Sequence, residues 1–353
     1  MIFKSVHSGM KFDVEYEPDP FDVGSQGTIH RIKKINGKYY KTWVIKIIKS
    51  LDYIAQLSSL VSFISYNKLN TEGLSCSPAA LLQRGDFLAI PMRYASGVDL
   101  ENGGGLPNNF SLIERLAVAT ELARCVRRLH ESGAVIGDLS YDNIVIDCKN
   151  YALYLVDIDS IGFQFDNKSY SPLASNIFKG ELSPPEFSNS RYTQQMDLWS
   201  LSVILYFIIT NEQPMASFGL INYTDPKITW PPQSGGGSCL SKIDVLGGPL
   251  QKAFLKSFNE ARLNPNQRLL AREWEKLLNE AQDHIYQCRC SPDKPFVALD
   301  LYGQIMKQCP ICHQPISPPL TGQLTAPTDN LSCQPKTPNQ LITRGRKRST
   351  RKR

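Results

Sequence analysis

The longest apolar run in the chain is Leu198 to Ile209, LWSLSVILYFII. A helix of that length rises about 18 Å and falls short of the ~20 residues a membrane crossing needs. A helix apolar on every face must be covered on every face, so the run predicts a central core helix with a substantial body packed round it. The chain is long enough to supply that body: 353 residues suit one large domain or two moderate ones with a small appendage. With 42% hydrophobic and 20% charged residues, 23 Gly and 23 Pro, the composition excludes collagen-like, coiled-coil and wholly disordered chains. The opening MIFKSVHSGMKFDVEYEPDP has no continuous apolar core, which predicts no secretory signal.

Residues up to about Ala95 read mostly as strand. Ile29 to Ile32 and Tyr40 to Ile48 are β-rich runs separated by Asn36-Gly37, a pair suited to a tight hairpin turn. A helix is expected near Leu51 to Leu69 and a strand at Asp86 to Tyr94. The middle turns helical: Ser111 to Glu131 places apolar residues at helical spacing, with Ser111 and Glu114 as a capping box. Short strands follow at Asn143 to Asp147 and Leu153 to Val156, then the Leu198 helix and further helices ending at Arg272 to Gln282. No internal repeat is present. From Pro318 the sequence becomes rich in Pro, Thr, Gln and Asn without periodicity, the composition of a disordered linker.

Phosphoryl transfer needs a backbone cradle for phosphates, a cation on them, carboxylates for a metal, and a group that orients the attacking hydroxyl. The chain offers each in order. Gly24 to Ile29 (GSQGTI) lies between two expected strands, where positions without side chains let backbone N–H groups approach phosphate oxygens. Nineteen residues after Gly27, Val44-Ile45-Lys46-Ile47 sets one lysine in an apolar strand, either an edge charge reaching solvent or a phosphate-binding cation. Ile136-Gly137-Asp138-Leu139-Ser140-Tyr141-Asp142-Asn143 then follows the helix ending at Arg128-Leu129-His130, and Leu155-Val156-Asp157-Ile158-Asp159 presents two carboxylates at a strand end. Each acid alone is as readily a turn former or helix cap.

In this order the residues resemble the protein kinase family over about Asp22 to Gln282. Ser183-Pro184-Pro185-Glu186 is similar to the element that ends the activation segment. Asp197-Leu198-Trp199-Ser200-Leu201 resembles the start of the central C-lobe helix, and Arg268 stands where the late C-lobe arginine pairs with Glu186. The resemblance implies an α+β, two-lobed kinase-like fold with a β-rich N-lobe (1–95) and a helical C-lobe (96–283). It implies ATP and Mg²⁺ as cofactors, with Gly24, Gly27 and Ile29 as the glycine loop and Ile90 to Ala95 as the hinge, where backbone groups near Met92, Arg93 and Tyr94 bind adenine. Lys46 would hold the α- and β-phosphates, Asp138 would accept or orient the substrate hydroxyl, and Asn143 and Asp157 would hold Mg²⁺.

The departures from the family pattern carry information of their own. Asp22 stands at the first loop glycine, Ile136 and Gly137 replace the histidine and arginine before the catalytic Asp, and Ser140 replaces a lysine. Without that arginine, activity is expected to be independent of activation-loop phosphorylation. Asp157 is preferred over Asp159 as the metal ligand because it follows two apolar strand residues. The helix after Lys46 shows no glutamate partner; Glu72 falls beyond it, leaving Gln56 or Asp52 as substitutes.

Nine cysteines, an odd number without a signal peptide, argue for a reducing compartment and a cytoplasmic location rather than a disulfide scaffold. Cys288-x-Cys290 and, eighteen residues later, Cys309-Pro-Ile-Cys312 resemble a zinc ribbon, expected over 284–317, with His284 or His313 as alternative ligands. Four protein ligands make such a Zn²⁺ structural. A kinase-like domain followed by such a ribbon is similar to a bacterial subgroup of kinase-like proteins.

The net charge of +6 is unevenly placed. The last ten residues, RGRKRSTRKR, carry seven positive charges, leaving the remainder near −1. The segment 318–353 is thus a disordered linker and basic tail, able to contact polyanions nonspecifically, with Ser349 and Thr350 as candidate phosphate acceptors. The leading expectation is a Ser/Thr-type protein kinase acting on a protein substrate, itself included, with a docking partner on the ribbon and no membrane association. Two alternatives are an ATP-binding pseudokinase scaffold and a nucleic-acid- or partner-binding zinc protein.

Overall fold

The structure is a computed structural model that describes residues 1–24, 26–101, 106, 110–173, 180–187, 192–214, 225, 227, 229–231 and 243–316. The tail with Ser349 and Thr350, and the linker from Pro318, lie outside the described residues.

The β-rich half consists of β1 (Ile2–Ser5), β2 (Lys11–Tyr16), β3 (Asp22–Val23), β4 (Thr28–Ile35), β5 (Lys38–Tyr39), β6 (Trp43–Ile48), β7 (Leu82–Arg84) and β8 (Phe87–Arg93). Asn36 and Gly37 both take positive φ, making the tight turn that pairs β4 with β5. The chain then leaves the sheet for three residues before β6, so the continuous strand expected from Tyr40 begins at Trp43.

Neighbouring strands run β2-β1-β7-β8-β6-β4, and β2 also pairs with β4, closing the sheet into a six-stranded antiparallel ring. A register shift at Glu15/Tyr16 bends β2 where it meets β4. Inside the ring Phe3, Val14, Ile32, Ile45, Ile47, Leu82 and Ala89 form their own buried cluster. Strand β6 is therefore covered on both faces. Ile45 and Ile47 point into the ring, while Val44 and Ile48 pack with helix α1 (Ile54–Tyr66) in the main core. Lys46 lies on that second face, because alternate residues share a side.

A two-residue strand, β9 (Val98–Asp99), precedes helix α2 (Leu112–Glu131). Ser111 caps α2: its hydroxyl accepts from the Glu114 amide at 3.4 Å, and the Glu114 carboxylate accepts from the Ser111 amide at 2.6 Å. The hairpin of β10 (Ile144–Asp147) and β11 (Ala152–Leu155) pairs with β9, and a second hairpin, β12 (Phe163–Phe165) with β13 (Lys168–Tyr170), follows. Helix α3 (Gln194–Thr210) contains the apolar run and is buried along nearly its whole length. Its Ser200, Ser202 and Thr210 hydroxyls donate to helix carbonyls four residues back, which lets polar residues sit in the core. Helices α4 (Gly248–Phe258), α5 (Glu260–Leu263) and α6 (Ala271–Asp283) enclose it, and α6 packs along α2 through ion pairs of Glu275 with Arg124 and Arg127. The architecture is α+β, with a β-rich N-terminal sheet and a helical C-terminal part.

The last described element is the hairpin of β14 (Ile285–Gln287) and β15 (Pro295–Val297). It is fixed to the helical half where the Gly248 amide donates to the Leu299 carbonyl at 2.8 Å and the Lys252 ammonium donates to the Leu301 carbonyl. Cys76, Cys125, Cys288, Cys290, Cys309 and Cys312 are free thiols, whereas Cys148 is disulfide-bonded. No helix among the described residues is long and apolar enough to cross a membrane.

Candidate active site

Lys46 is the residue on which the site converges. Its ammonium is buried and donates to three acceptors: Asp159 at 2.7 Å, Asp157 at 2.8 Å and Gln26 at 3.2 Å. Burial opposes the charged form, but the Asp159 and Asp157 carboxylates outweigh it and hold the lysine above its ordinary pKa. Burial pushes the Asp159 carboxyl above the usual carboxylate range, and the Lys46 ammonium is the charge that opposes it. Neither substitute partner foreseen for Lys46 occupies it. Gln56 donates to the Ser171 carbonyl at 2.8 Å, and Asp52 accepts from Ser50 at 2.7 Å.

The loop 136–143 hangs from the central helix. Asp197, with no solvent exposure, accepts from the Ile136 amide at 2.8 Å, the Gly137 amide at 2.9 Å and the His130 ring at 3.0 Å. Asp138 follows this anchor and is half-buried. The Asn143 side-chain amide donates to the Asp138 carbonyl at 2.9 Å, which stiffens the loop and leaves the Asn143 side-chain oxygen as an acceptor. The Asn143 carbonyl in turn accepts from the Val156 amide at 2.9 Å, tying the loop to the residue before Asp157. Burial and the Asp138 charge raise the Tyr192 phenol, placing that ring in the field of Asp138.

At the glycine loop the Gly24 amide donates to the Gly27 carbonyl at 2.9 Å. A Cβ at Gly27 would run into the Ile47 carbonyl oxygen, so only glycine lets the loop lie this close to β6. Asp22 turns back on its own strand, its carboxylate accepting from the Val23 amide at 2.8 Å, and is exposed. Ile29 and Ile90 stand directly opposite Lys46 on the two neighbouring strands, on the same face, and Met92 lies opposite Val44. Beyond it Arg93 is exposed, and the Tyr94 amide donates to the Thr42 carbonyl at 2.9 Å.

The segment after Asp157 packs close to the loop. Gly137 has φ of +76°, and a Cβ there would lie 2.8 Å from Pro172, so the ring of Pro172 fills the space a side chain would need. Farther on, Arg268 makes a two-pronged ion pair with Glu186 at 2.6 and 2.7 Å and also donates to the Gln195 carbonyl at 2.7 Å. Tyr141 donates to Glu181 at 2.8 Å, joining the loop to this same region. Sequence reasoning missed two parts of the site. These are the contact of Asp159 with Lys46 and the β12–β13 hairpin. The pair Asp166-Asn167 between Phe163-Gln164-Phe165 and Lys168-Ser169-Tyr170 was the available signal, since both take positive φ in the turn.

The cysteine cluster is separate. The sulfur atoms of Cys288, Cys309 and Cys312 lie within 4.8 Å of one another. Sulfur atoms round one tetrahedral zinc ion stand about 3.8 Å apart, so a small contraction would seat a metal. Cys290 is exposed and lies outside that group of three. The Ile311 amide donates to Cys309 at 3.4 Å, and the Gln314 amide, with the neighbouring thiols, brings the Cys312 thiol down to about 7. The His284 Nδ1 is bonded to the Glu280 carbonyl at 2.8 Å, and His284 is not among the residues gathered in this group.

A family model described as protein tyrosine and serine/threonine kinase matches residues 27–225, a span that includes Gly27, Lys46, Asp138, Asn143, Asp157 and Glu186. Over 176 residues the chain is 23% identical to the calcium/calmodulin-dependent protein kinase type I of Schizosaccharomyces pombe, covering 48% of this chain and 50% of that protein. It is 22% identical over 147 residues to protein kinase C-like 1 of Caenorhabditis elegans, covering 41% and 20%. It is 27% identical over 130 residues to the serine/threonine-protein kinase PknE of Mycobacterium tuberculosis, covering 36% and 22%. The matched segments span half or less of the length of these relatives.

Proposed function

This chain belongs to the protein tyrosine and serine/threonine kinase family, and from that premise we propose that it transfers the γ-phosphoryl group of Mg-ATP to a protein Ser or Thr hydroxyl without needing phosphorylation of its activation loop. The observation that carries the reading is the 2.8 Å contact between the Lys46 ammonium and Asp157, which joins the β-rich half to the loop after β11. A lysine buried between carboxylates is suited to exchange one of them for nucleotide phosphates, and the glycine-only approach at Gly27 leaves backbone to cover them. Asp157 and Asn143 offer the hard oxygen ligands that Mg²⁺ requires. When bound, the ion offsets charge on the transferred phosphoryl group. Asp138 receives or orients the acceptor proton, held in place by the Asp197 anchor. Adenine lies against the strand ending at Met92, Arg93 and Tyr94. Independence from loop phosphorylation is supported by Pro172, which packs where an arginine at position 137 would otherwise project.

On this reading the chain divides into an N-lobe (1–95), a C-lobe (96–283), a zinc-ribbon module (284–317) and a basic tail (318–353). Cys288, Cys309 and Cys312, with Cys290 as the fourth ligand, hold one structural Zn²⁺; the separations of the first three sulfur atoms and the amide donor on Cys309 support this. Metal content of the purified protein tests this directly: one zinc per chain is expected, and none would remove the module from the reading.

The test of activity is phosphate incorporation into casein and into the chain itself with Mg-ATP, measured by mass spectrometry beside an Asp138→Ala control. Modification of Ser or Thr by the wild type alone is expected, at an unchanged rate after phosphatase treatment. Mg-ATP binding without transfer would replace the enzyme reading with a scaffold, and a large gain on loop phosphorylation would overturn the independence.

A further inference from the structure

We propose that Asp159 is the positioning residue of Lys46. The carboxylate that sets the lysine comes from the turn after β11, and helix α1 contributes none. The inference rests on the reading of Lys46 as the phosphate-binding lysine, and it begins from a count of donors. An ammonium has three N–H bonds, and those of Lys46 go to Gln26, Asp157 and Asp159. Nothing is left over for α1. That helix, IAQLSSLVSFISY, contains no acidic residue, and its polar side chains turn elsewhere: Gln56 to the Ser171 carbonyl, Ser59 to the Tyr170 hydroxyl and Ser62 to His7.

The two carboxylates are not equivalent. The Asp157 side chain is 37% exposed, whereas that of Asp159 is 1% exposed. Asp157 is open to solvent and can turn toward a cation. Asp159 is closed off from water, and a buried carboxylate is retained only with its charge partner. When Asp157 turns to the metal, Asp159 keeps hold of Lys46.

The backbone explains how residues two apart reach one ammonium. Asp157 adopts the left-handed conformation, with φ 58° and ψ 28°, which aspartate tolerates better than most residues. A tight turn over Ile158–Ser160 follows, closed by the Ser160 amide and hydroxyl donating to the Asp157 carbonyl at 3.1 and 2.9 Å. Ile158 and Ile161 pin the turn in the main core. Helix α1 is held by other means, with Phe63 against Phe163 at 4.9 Å and Tyr66 against Phe165 at 6.1 Å. The lysine pair and the helix are thus both fastened to the segment that follows Asp157, through different residues.

The experiment is a double-mutant cycle on the full chain with Lys46→Met, Asp159→Asn and the two combined. It is read by urea unfolding without nucleotide and by kcat and KM for Mg-ATP with casein. Each single variant is expected to lower the urea midpoint, with the combined variant recovering most of the loss. Asp159→Asn is expected to lower kcat about 100-fold, the cost of a catalytic group displaced by an ångström, with a smaller change in KM, and to add nothing in the Lys46→Met background. Gln56→Ala is expected to leave kcat unaltered. Additive urea midpoints, or an unchanged kcat in Asp159→Asn, would overturn the proposal. A wild-type chain that transfers no phosphate defeats the kinase reading alone, and the unfolding cycle still decides the pairing.

Discussion

Asp197 and Asp159 are both buried carboxylates near the centre of the molecule, yet they do different work. Asp197 sits on the central helix and holds backbone: two amides of the loop carrying Asp138, plus the His130 ring. Asp159 sits in a short turn and holds a side chain, the Lys46 ammonium. A carboxylate that binds amides holds its partner whatever side chains the loop carries, which is how the loop keeps its place with Ile136 and Gly137 where the family pattern has histidine and arginine. A carboxylate that binds an ammonium depends on a single residue, but it can be supplied from any element that reaches it. The helical half therefore fastens its loop through backbone, while the lysine of the β-rich half is held by side chains.

The largest expected effect is at the backbone anchor. Asp197→Asn turns an amide N–H toward donors that need an acceptor, and should cost about 3–5 kcal/mol of stability together with nearly all phosphate transfer, checked by urea unfolding and casein phosphorylation. Next comes the strand ring. Phe3→Ala removes a buried ring from the cluster behind β6 and should cost about 3 kcal/mol. Transfer per folded molecule should survive, because Lys46 lies on the opposite face. If kcat falls as far as in Asp197→Asn, the two halves are not independent. A smaller effect is expected at the glycine loop. Gly27→Ala forces the loop off the Ile47 carbonyl and should weaken Mg-ATP binding about tenfold, or ~1.4 kcal/mol, read by calorimetry, together with a fall in the urea midpoint. Least of all, zinc removal by a chelator should lower the apparent Tm by roughly 2–4 °C and leave nucleotide binding intact, since the cysteine cluster shares no residue with the Lys46 site.

What could be read from the sequence followed the range of the interactions. The capping box of Ser111 and Glu114 involves residues three apart, and the Asn36-Gly37 turn is written in two residues. The Glu186–Arg268 pair spans 82 positions and was legible only because both residues stand in motifs resembling a known family. Ring closure had no such marker. Lys4 faces Gln83 and Val14 faces Ile35, and nothing local in either segment specifies those partners. The alternation of Val14 with Asp13 and Glu15 marks a strand with one buried face but not what covers it. Asp159 was hidden for a different reason. Its role depends on the left-handed turn at Asp157 and the tight turn over Ile158–Ser160, and nothing local in Asp157-Ile158-Asp159 specifies that geometry.

The strand ring has one more consequence. An open sheet ends in a row of unsatisfied amides and carbonyls, and that row is the usual template for adding a strand from another chain. Here β2 and β4, which would otherwise be the borders, are bonded to each other, and the attached strands β3 and β5 are two residues each. Among the described residues the N-terminal sheet therefore presents no long backbone edge to a second molecule. At high concentration this half of the protein is guarded against runaway self-association, and any contact it makes with another chain has to be built from side chains.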